Sequence, residues 1–245
     1  MKSYSLTDMG KARDMNQDYF FACEEPMGHL PNLFVVADGM GGHAAGDFAS
    51  RHTVQTMVKE VKKCRKRDPE DILLKAISVA NTSLKAHAKD HKEMAGMGTT
   101  VVAATCHGDK LVVANVGDSR LYLVGSKIRQ VTQDHSMVME LVRMGEITKE
   151  QARNHPAKNV ITRAIGMEDQ VEIDFFRVRI KPEDKILLCS DGLTNMVKNA
   201  EIKSILNRED LSLAEKVELL VDTANKNGGL DNITVVVIDP KIDEV

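Results

Sequence analysis

Three apolar segments of this 245-residue chain each lie next to an aspartate. Each segment is short and almost free of polar residues, which is typical of a strand buried on both faces. The pairs are 33–37 with Asp38, 186–189 with Asp191, and 233–238 with Asp231. Strands of one core can end at one edge, where clustered carboxylates would repel each other unless a cation neutralised them. The pattern therefore predicts a metal-binding edge, although Asp-Gly after a single strand is also a common hairpin turn.

The spacing of apolar residues predicts helices and strands of an α+β protein. Apolar positions three and four apart predict helices over 48–61 and 72–84, and Asp68-Pro69 has the residue types of a helix start. From Gly98 the period changes to two, and turn signals at HGD, GD and GS predict an antiparallel meander. Strands grouped in this way, with helices before and after them, favour α+β layers over a βαβ alternation.

Residues 136–166 interrupt this pattern. The sequence SMVMELVRMG predicts a short helix, and TKEQ at 148–151 matches a capping box that would begin a second one. Few large apolar residues follow Val142 in this segment. Two interpretations stay open, a surface excursion that can move or an ordinary helical hairpin.

Length and composition favour a single domain. No Gly/Ser-rich or Pro-rich linker divides the chain, and the formal net charge of -3 gives no reason to expect nucleic acid or an anionic membrane as a partner. No apolar run reaches the roughly 18 residues of a membrane helix, and the first residues lack a signal peptide. We therefore expect a cytoplasmic protein. Its four cysteines form no CxxC pair and are too few for a disulfide scaffold, so we expect them to be reduced. We also expect a monomer.

Carboxylates at the predicted edge favour Mg²⁺ or Mn²⁺, because these hard cations prefer oxygen ligands. Zinc would need a set of histidines or cysteines with ligand spacing, which the sequence does not offer. Two such cations about 3.5 to 4 Å apart can generate hydroxide and hold an in-line phosphoryl displacement. Arg13, in the polar segment TDMGKARDMNQDYF, is then a candidate for binding phosphate with its guanidinium fork.

The glycines after Asp38 also allow a different class of protein. Gly39, Gly41 and Ala44 match the pattern GxGxxA after a strand. Glu60 follows about 20 residues later, as dinucleotide binding requires. However, Asp38 would place a negative charge beside the pyrophosphate, and the basic segment around Glu60 does not have the pattern of a second parallel strand. A dinucleotide-binding enzyme is the less favoured alternative.

Seven motifs of the chain resemble, in their order, those of the metal-dependent serine/threonine protein phosphatases of type 2C, the PPM family. They are TDMGKARDMNQD (7–18), VADGMGGH (36–43), GTT (98–100), VGDSR (116–120), TQDHS (132–136), SDGL (190–193) and DNITVVV (231–237). The resemblance covers nearly the whole chain and is closest to the compact bacterial members. It implies a four-layer α-β-β-α sandwich with two central antiparallel sheets flanked by helices. It also implies one catalytic domain over 1–245, with 136–166 as a flap beside the site.

The resemblance implies roles for the aspartates. Asp38 would bridge two Mn²⁺ or Mg²⁺ ions, and the carbonyl of Gly39 would bind one of them. Asp191 and Asp231 would bind the other ion. Asp18 matches an acidic position of the family that reaches the metal through water.

Two further positions match the family, and one departs from it. Asp118 resembles the aspartate that, with Asp191, holds a third and weaker ion in bacterial members, although a hairpin turn is its alternative role. Arg13 matches the arginine that binds the substrate phosphate. Met40 stands where eukaryotic members have a histidine proposed to protonate the leaving group, and methionine cannot donate that proton. His43, metal-bound water or solvent are the open candidates for this acid.

The function implied by the resemblance is hydrolysis of phosphoserine and phosphothreonine in proteins, by attack of a metal-bridging hydroxide. The partners implied are phosphorylated proteins and a bacterial Ser/Thr kinase that the phosphatase opposes. A catalytically dead member that acts as a regulatory binding module is the second alternative. Such a protein would be free to lose Asp38, Asp191 and Asp231, and this chain has all three.

Overall fold

The structure, a computed structural model, describes residues 1–42 and 44–240. The strands of this part are β1 (Lys2–Asp8), β2 (Asp18–Cys23), β3 (Leu33–Met40), β4 (Gly98–Thr99), β5 (Val101–His107), β6 (Lys110–Val116), β7 (Arg120–Val124), β8 (Ile128–Gln130), β9 (Asp174–Arg179), β10 (Lys185–Cys189) and β11 (Ile233–Asp239). The α-helices are α1 (Ala45–Lys63), α2 (Pro69–Asp90), α3 (Met137–Met144), α4 (Lys149–Arg153), α5 (Asp191–Thr194), α6 (Asn199–Leu206) and α7 (Leu213–Lys226). A 3₁₀ turn, Lys92–Met94, precedes β4.

The strands form two antiparallel sheets. One has the order β1-β11-β10-β7-β8, and the other has the order β2-β3-β5-β6-β9 with β4 paired to β3. The register of β2 and β3 puts Asp18 opposite Asp38. In the other sheet, Cys189 at the end of β10 is opposite Val235 near the start of β11. Residues just after β10 and just before β11 therefore lie at the same end of this sheet.

Successive side chains of the central strands face opposite layers. In β3, Val35 packs with α1 and α2, whereas the next residue, Val36, packs against the other sheet. In β10, Leu187 packs with α6 and α7, whereas Leu188 faces the sheet that contains β3. The layers are therefore helix, sheet, sheet and helix, which confirms the predicted α+β sandwich.

The helix starts follow from their capping residues. The Asp68 carboxylate accepts hydrogen bonds from the N–H groups of Glu70 and Asp71, and Pro69 occupies the first turn of α2, as predicted. The predicted capping box is present at α4, where Thr148 and Gln151 bond reciprocally. In the described ranges, no helix has the length and apolar character that crossing a membrane requires.

The segment 136–166 leaves the sandwich between β8 and β9. It contains α3 and α4, and of these helices only Val138 and Ala152 are buried. Its two ends are joined by a bridge between Ser136 and Ile161. A second bridge, between Thr99 and Ile165, ties it to β4. The segment is therefore a helical excursion that returns to the strands next to Asp38.

The structure corrects the predicted meander. It is two hairpins, β5–β6 and β7–β8, which belong to different sheets. Residues 117–119 carry the chain from one sheet to the other, so Asp118 does not lie in a hairpin turn. A local turn signal could not reveal this, because a crossover and a hairpin both need a sharp change of direction. Asp38 also lies inside β3 and not after it, because β3 continues to pair with β4 through Gly39.

Candidate metal and phosphate site

A cavity of about 230 Å³ at one end of the sandwich brings together most of the residues singled out in the sequence. Its lining includes Arg13, Asp38, Gly39, Asp118, Asp191 and Asp231. Asp18 lies beside it on the strand next to Asp38. His43, the candidate acid, lies outside the described residues. The convergence of strand ends expected from the apolar pattern is therefore present.

Backbone bonds fix Asp38. Its N–H donates to Thr100 Oγ1 at 2.9 Å, and its carbonyl accepts from the Thr100 N–H and from Thr99 Oγ1, both at 2.9 Å. Thr100 Oγ1 is also 2.7 Å from the hydroxyl of Ser119, the residue after Asp118. Thr100 therefore links the strand that carries Asp38 to the crossover that carries Asp118.

Asp191 and Asp231 lie next to the ends of two adjacent strands, β10 and β11. Asp191 is the first residue of α5, and its Oδ2 accepts from Asn195 Nδ2 at 2.9 Å. Asp231 precedes β11, and its Oδ1 accepts from the N–H of Asn232 at 2.9 Å. The Oδ2 of Asp231 accepts from Arg13 at 2.8 Å. Each carboxylate is thus oriented by at least one donor.

Asp18 connects the two sheets. Its Oδ2 accepts from the Ser190 hydroxyl at 2.7 Å, and Ser190 Oγ accepts from the N–H of Thr234 at 3.0 Å. Its Oδ1 is buried and has no hydrogen-bond partner. Burial and then the charges of Asp191 and Asp231 raise the pKa of Asp18, and hydrogen bonds from Ser190 and Thr234 lower it, so that it lies at about 7. The protein alone therefore disfavours an ionised Asp18.

The neighbouring carboxyl groups have the same electrostatic conflict. Burial raises the pKa of Asp38 well above its usual range, and the Asp18 charge contributes next. Burial raises the pKa of Asp118 in the same way, followed by the charge of Asp191. The pKa of Asp191 is also raised, first by burial and then by Asp231. Together these groups resist ionisation unless a positive charge enters the cavity.

The donor set fits a hard divalent cation. Asp18 Oδ1 and Asp191 Oδ1 are buried acceptors without a donor, which a cation can satisfy and another acceptor cannot. In the described part of the chain, no three acidic, histidine or cysteine side chains already converge closely enough to enclose one ion. The Asp231 carboxylate instead forms an ion pair with the Arg13 guanidinium at 2.8 Å. A bound ion would therefore need small side-chain movements, and the carbonyl of Gly39 or water to complete its coordination.

The segment before β2 positions Arg13 at the cavity. The N–H groups of Lys11 and Ala12 donate to the Gly229 carbonyl at 2.7 and 3.1 Å. Gly10 adopts a φ of 77°, which other residues disfavour, and a Cβ there would collide with the Asp231 carbonyl oxygen. The Arg13 side chain is half exposed, and its hydrogen bond with Asp231 raises its pKa. Arg13 is therefore a permanent cation with donors accessible to a phosphate.

The glycines after Asp38 have a packing role that removes the reason for the dinucleotide alternative. The Gly39 N–H donates to the Gln17 carbonyl at 3.0 Å, and a Cβ on Gly39 would collide with the Gly46 carbonyl oxygen of α1. Glu60 lies inside α1, where it pairs with Lys63 at 2.7 Å. Every strand pair between the described strands is antiparallel. The parallel βαβ unit that the dinucleotide pattern requires is therefore not formed by these segments.

Sequence reasoning missed a network behind Asp118. His135 is buried, and its Nδ1 accepts from the N–H of Gly117 at 3.1 Å. Its Nε2 lies 3.1 Å from Asp174, which also accepts from Arg163 at 2.9 Å. The motif TQDHS contained His135, but its partners lie far away in the sequence. The network fixes the crossover that presents Asp118 and joins it to the end of the 136–166 segment.

The raised pKa of Asp18 predicts how the stability of the metal-free protein depends on pH. The unfolded chain releases this proton near pH 4, whereas the folded protein keeps it to about pH 7. The free energy of unfolding should therefore fall as pH rises through this window. In Asp18→Asn, where residue 18 cannot titrate, the fall should be smaller. Thermal unfolding of both proteins with chelator, from pH 5 to pH 8, measures this, and parallel profiles would contradict the assignment.

Comparisons with known proteins agree with this geometry. The family model described as protein phosphatase 2C matches residues 10–233. A serine/threonine phosphatase, stp, of Listeria innocua is 44% identical over 238 residues, which cover 95% of this chain and 93% of that protein. The crystal structure of the serine/threonine phosphatase Stp1 from Staphylococcus aureus has a TM-score of 0.89 and 36% identity, covering 96% of this chain and 93% of Stp1. The catalytic domain of the serine threonine protein phosphatase PstP, solved in complex with 2 manganese ions, has a TM-score of 0.84 and 32% identity, with 96% of each chain covered. The chain therefore belongs to the protein phosphatase 2C family, as its motifs indicated.

Proposed function

We propose that this protein hydrolyses phosphoserine and phosphothreonine residues of proteins, using two Mn²⁺ or Mg²⁺ ions. The observation that carries the proposal is the 230 Å³ cavity in which buried, electrostatically strained aspartates meet one accessible arginine. Support also comes from the relatives, which are named serine/threonine phosphatases. A phosphate monoester carries the charge that such ions and Arg13 would attract.

The proposed metal ligands are the residues that line or adjoin the cavity. Asp38 would contact both ions, the Gly39 carbonyl one of them, and Asp191 with Asp231 the other. Asp18 would act through a water molecule, from which its buried and unpartnered Oδ1 could accept a hydrogen bond. When bound, ions of this kind lower the pKa of water and withdraw charge from a phosphoryl oxygen.

Asp118 is proposed as part of a third and weaker site with Asp191. Its burial and the charge of Asp191, both of which raise the pKa of its carboxyl group, support this role. Its place in a crossover between sheets removes the hairpin turn as an explanation for an aspartate there.

Arg13 is proposed to bind the phosphate with the donors that it now directs at Asp231. Its removal should lower kcat/KM on a phosphothreonine peptide about 10- to 100-fold, because one charge-assisted fork is lost. Arg13→Lys should recover only part of this loss, since lysine keeps the charge and lacks the fork. Steady-state kinetics of both variants measure this, and wild-type kinetics in Arg13→Ala would remove Arg13 from the site.

Proton delivery to the leaving group has no histidine among the described residues that line the cavity. Met40 lines it and has no proton to donate. His43 and water stay the candidate acids. His43→Ala should then distinguish them, since loss of an acid affects a phosphothreonine peptide more than p-nitrophenyl phosphate, whose phenolate needs little protonation.

The whole chain is proposed as one catalytic domain, with residues 136–166 as a flap. Asn159 and Ile161 of this segment line the cavity, which supports its place beside the substrate. The cytoplasmic location, the monomeric state and a Ser/Thr kinase as the opposing enzyme stay predictions from the sequence.

Release of inorganic phosphate from a phosphothreonine peptide, with purified protein and Mn²⁺, tests the proposed function. We expect turnover with Mn²⁺ and none without a divalent ion. Binding of phosphopeptides without any turnover would favour the catalytically dead member instead. A matched control is Asp222→Asn, an exposed aspartate of α7, which should retain the wild-type rate.

A further inference from the structure

A second and larger cavity adjoins the proposed site. It has a volume of about 580 Å³ and lies between α3 and α4 of the 136–166 segment on one side and the α5–α6 region on the other. Asp118 and Asp191 line both this cavity and the one described above. We call the larger, 580 Å³ cavity the flap cleft. A polypeptide whose phosphorylated residue enters the 230 Å³ cavity therefore has an adjacent space for its neighbouring residues.

The flap cleft is basic away from the aspartates. Its lining includes four exposed cations, which are Lys149, Arg153, Lys158 and Lys198. Within the described residues, none of the four forms an ion pair with a carboxylate. The fifth lining cation, Arg120, is different, because its guanidinium donates to both oxygens of Asp134 at 2.6 to 3.1 Å. The four cations are therefore available to an external anion.

The acidic residues of the flap cleft do not balance these cations. Asp134 is neutralised by Arg120, and Asp118 and Asp191 lie at the end shared with the proposed metal site. Divalent ions there would neutralise the last two. The chain as a whole has a formal net charge of -3, so the excess positive charge is a local property of this cleft. Complementary charge of this kind steers a partner and selects among partners.

We infer that the flap cleft binds the polypeptide segment next to the phosphorylated residue and selects acidic side chains in it. This inference rests on the proposed function and names the class of substrate for the same site. Arg153 and Lys198 carry charge on opposite walls, one at the end of α4 and the other just before α6. An extended segment that lies in the cleft advances about 3.3 Å per residue, so successive side chains on it can face different walls.

The test compares phosphothreonine peptides of equal length. One peptide has neutral neighbours, two have three glutamates on the N-terminal or the C-terminal side, and two have lysines at the same positions. We expect kcat/KM for one glutamate peptide to exceed that of its lysine counterpart about tenfold, because several exposed charges each contribute a small attraction. The difference should shrink at 0.5 M salt, where screening acts within a few ångströms.

Charge reversal assigns the preference to the flap cleft. In the double variant Arg153→Glu/Lys198→Glu, the ratio of glutamate to lysine peptide should fall about tenfold or invert. Each rate is divided by the rate of the same protein on p-nitrophenyl phosphate, which has no neighbouring residues. Lys75→Glu is the matched control, because Lys75 is an exposed cation of α2 outside the cleft, and it should keep the wild-type ratio.

The outcomes separate this inference from the proposed function. Equal hydrolysis of all the peptides would overturn the inference and leave the proposed function standing. An acidic preference that persists in the double variant would also overturn it, because the preference would then arise elsewhere. If p-nitrophenyl phosphate and every peptide resist hydrolysis, the proposed function fails, and the inference that rests on it fails too.

Discussion

Replacing Asp38 by asparagine should lower kcat on a phosphothreonine peptide about a thousandfold or more, because this carboxylate is proposed to contact both ions. Asparagine has nearly the same shape, and the backbone bonds of residue 38 to Thr99 and Thr100 do not involve its side chain. The loss should therefore reflect the missing charge. Kinetics over a range of Mn²⁺ concentrations measure it, since high Mn²⁺ should recover only part of the rate.

Unfolding experiments separate this effect from damage to the fold. Without metal, Asp38→Asn should be at least as stable as the wild type, because burial and neighbouring charges raise the pKa of Asp38 in the folded protein. The increase in Tm on adding Mn²⁺ should be present in the wild type and mostly lost in the variant. A folded Asp38→Asn protein with the wild-type rate would contradict the assignment of Asp38.

Removal of divalent cations should abolish the phosphatase activity of the wild type. The candidate ligands are oxygens, so a chelator should remove Mn²⁺ or Mg²⁺ from the protein. Adding either ion again should restore the activity. The protein itself should stay folded, because its three clusters of buried apolar side chains do not include the aspartates that line the 230 Å³ cavity. The measurement is phosphate release before chelation, after exhaustive chelation and after readdition, with metal content determined in parallel.

Calcium serves as a control in the same experiment. Calcium prefers more ligands and longer bonds than Mg²⁺, so it should restore much less activity. Full activity in protein that is free of metal by elemental analysis would refute the two-metal proposal. Arg13 and the buried aspartates would then need another explanation.

The apolar pattern predicted the core of the site because that core depends on local features. Asp191 and Asp231 flank short apolar strands. Strands that are buried on both faces lie in the centre of a sheet, because both faces are covered there. Their pairing brings the two residues to one end. Arg13 was a candidate because an arginine suits phosphate, and the resemblance agreed with this role. Asp18 received its role only from the resemblance, since no apolar pattern indicates its place.

The remaining features depend on contacts that the local sequence does not encode. The crossover at 117–119 looks like a hairpin, yet it connects two sheets. His135 contacts Gly117 and Asp174, which are separated from it by 18 and more residues. The flap cleft is lined by Arg153 and Lys198, which belong to different elements. Their positive charges are far apart in the sequence and form no pattern there. Long-range packing decides each of these features.

Equilibrium binding of Mn²⁺ measures the proposed metal site itself, because it does not depend on a chosen substrate. Free Mn²⁺ can be followed by electron paramagnetic resonance during titration of the metal-free wild type and of Asp38→Asn. We expect the wild type to bind at least two Mn²⁺ ions per chain and the variant to lose the tight sites. Absence of Mn²⁺ binding to the folded wild type, or equal binding by both proteins, would contradict it.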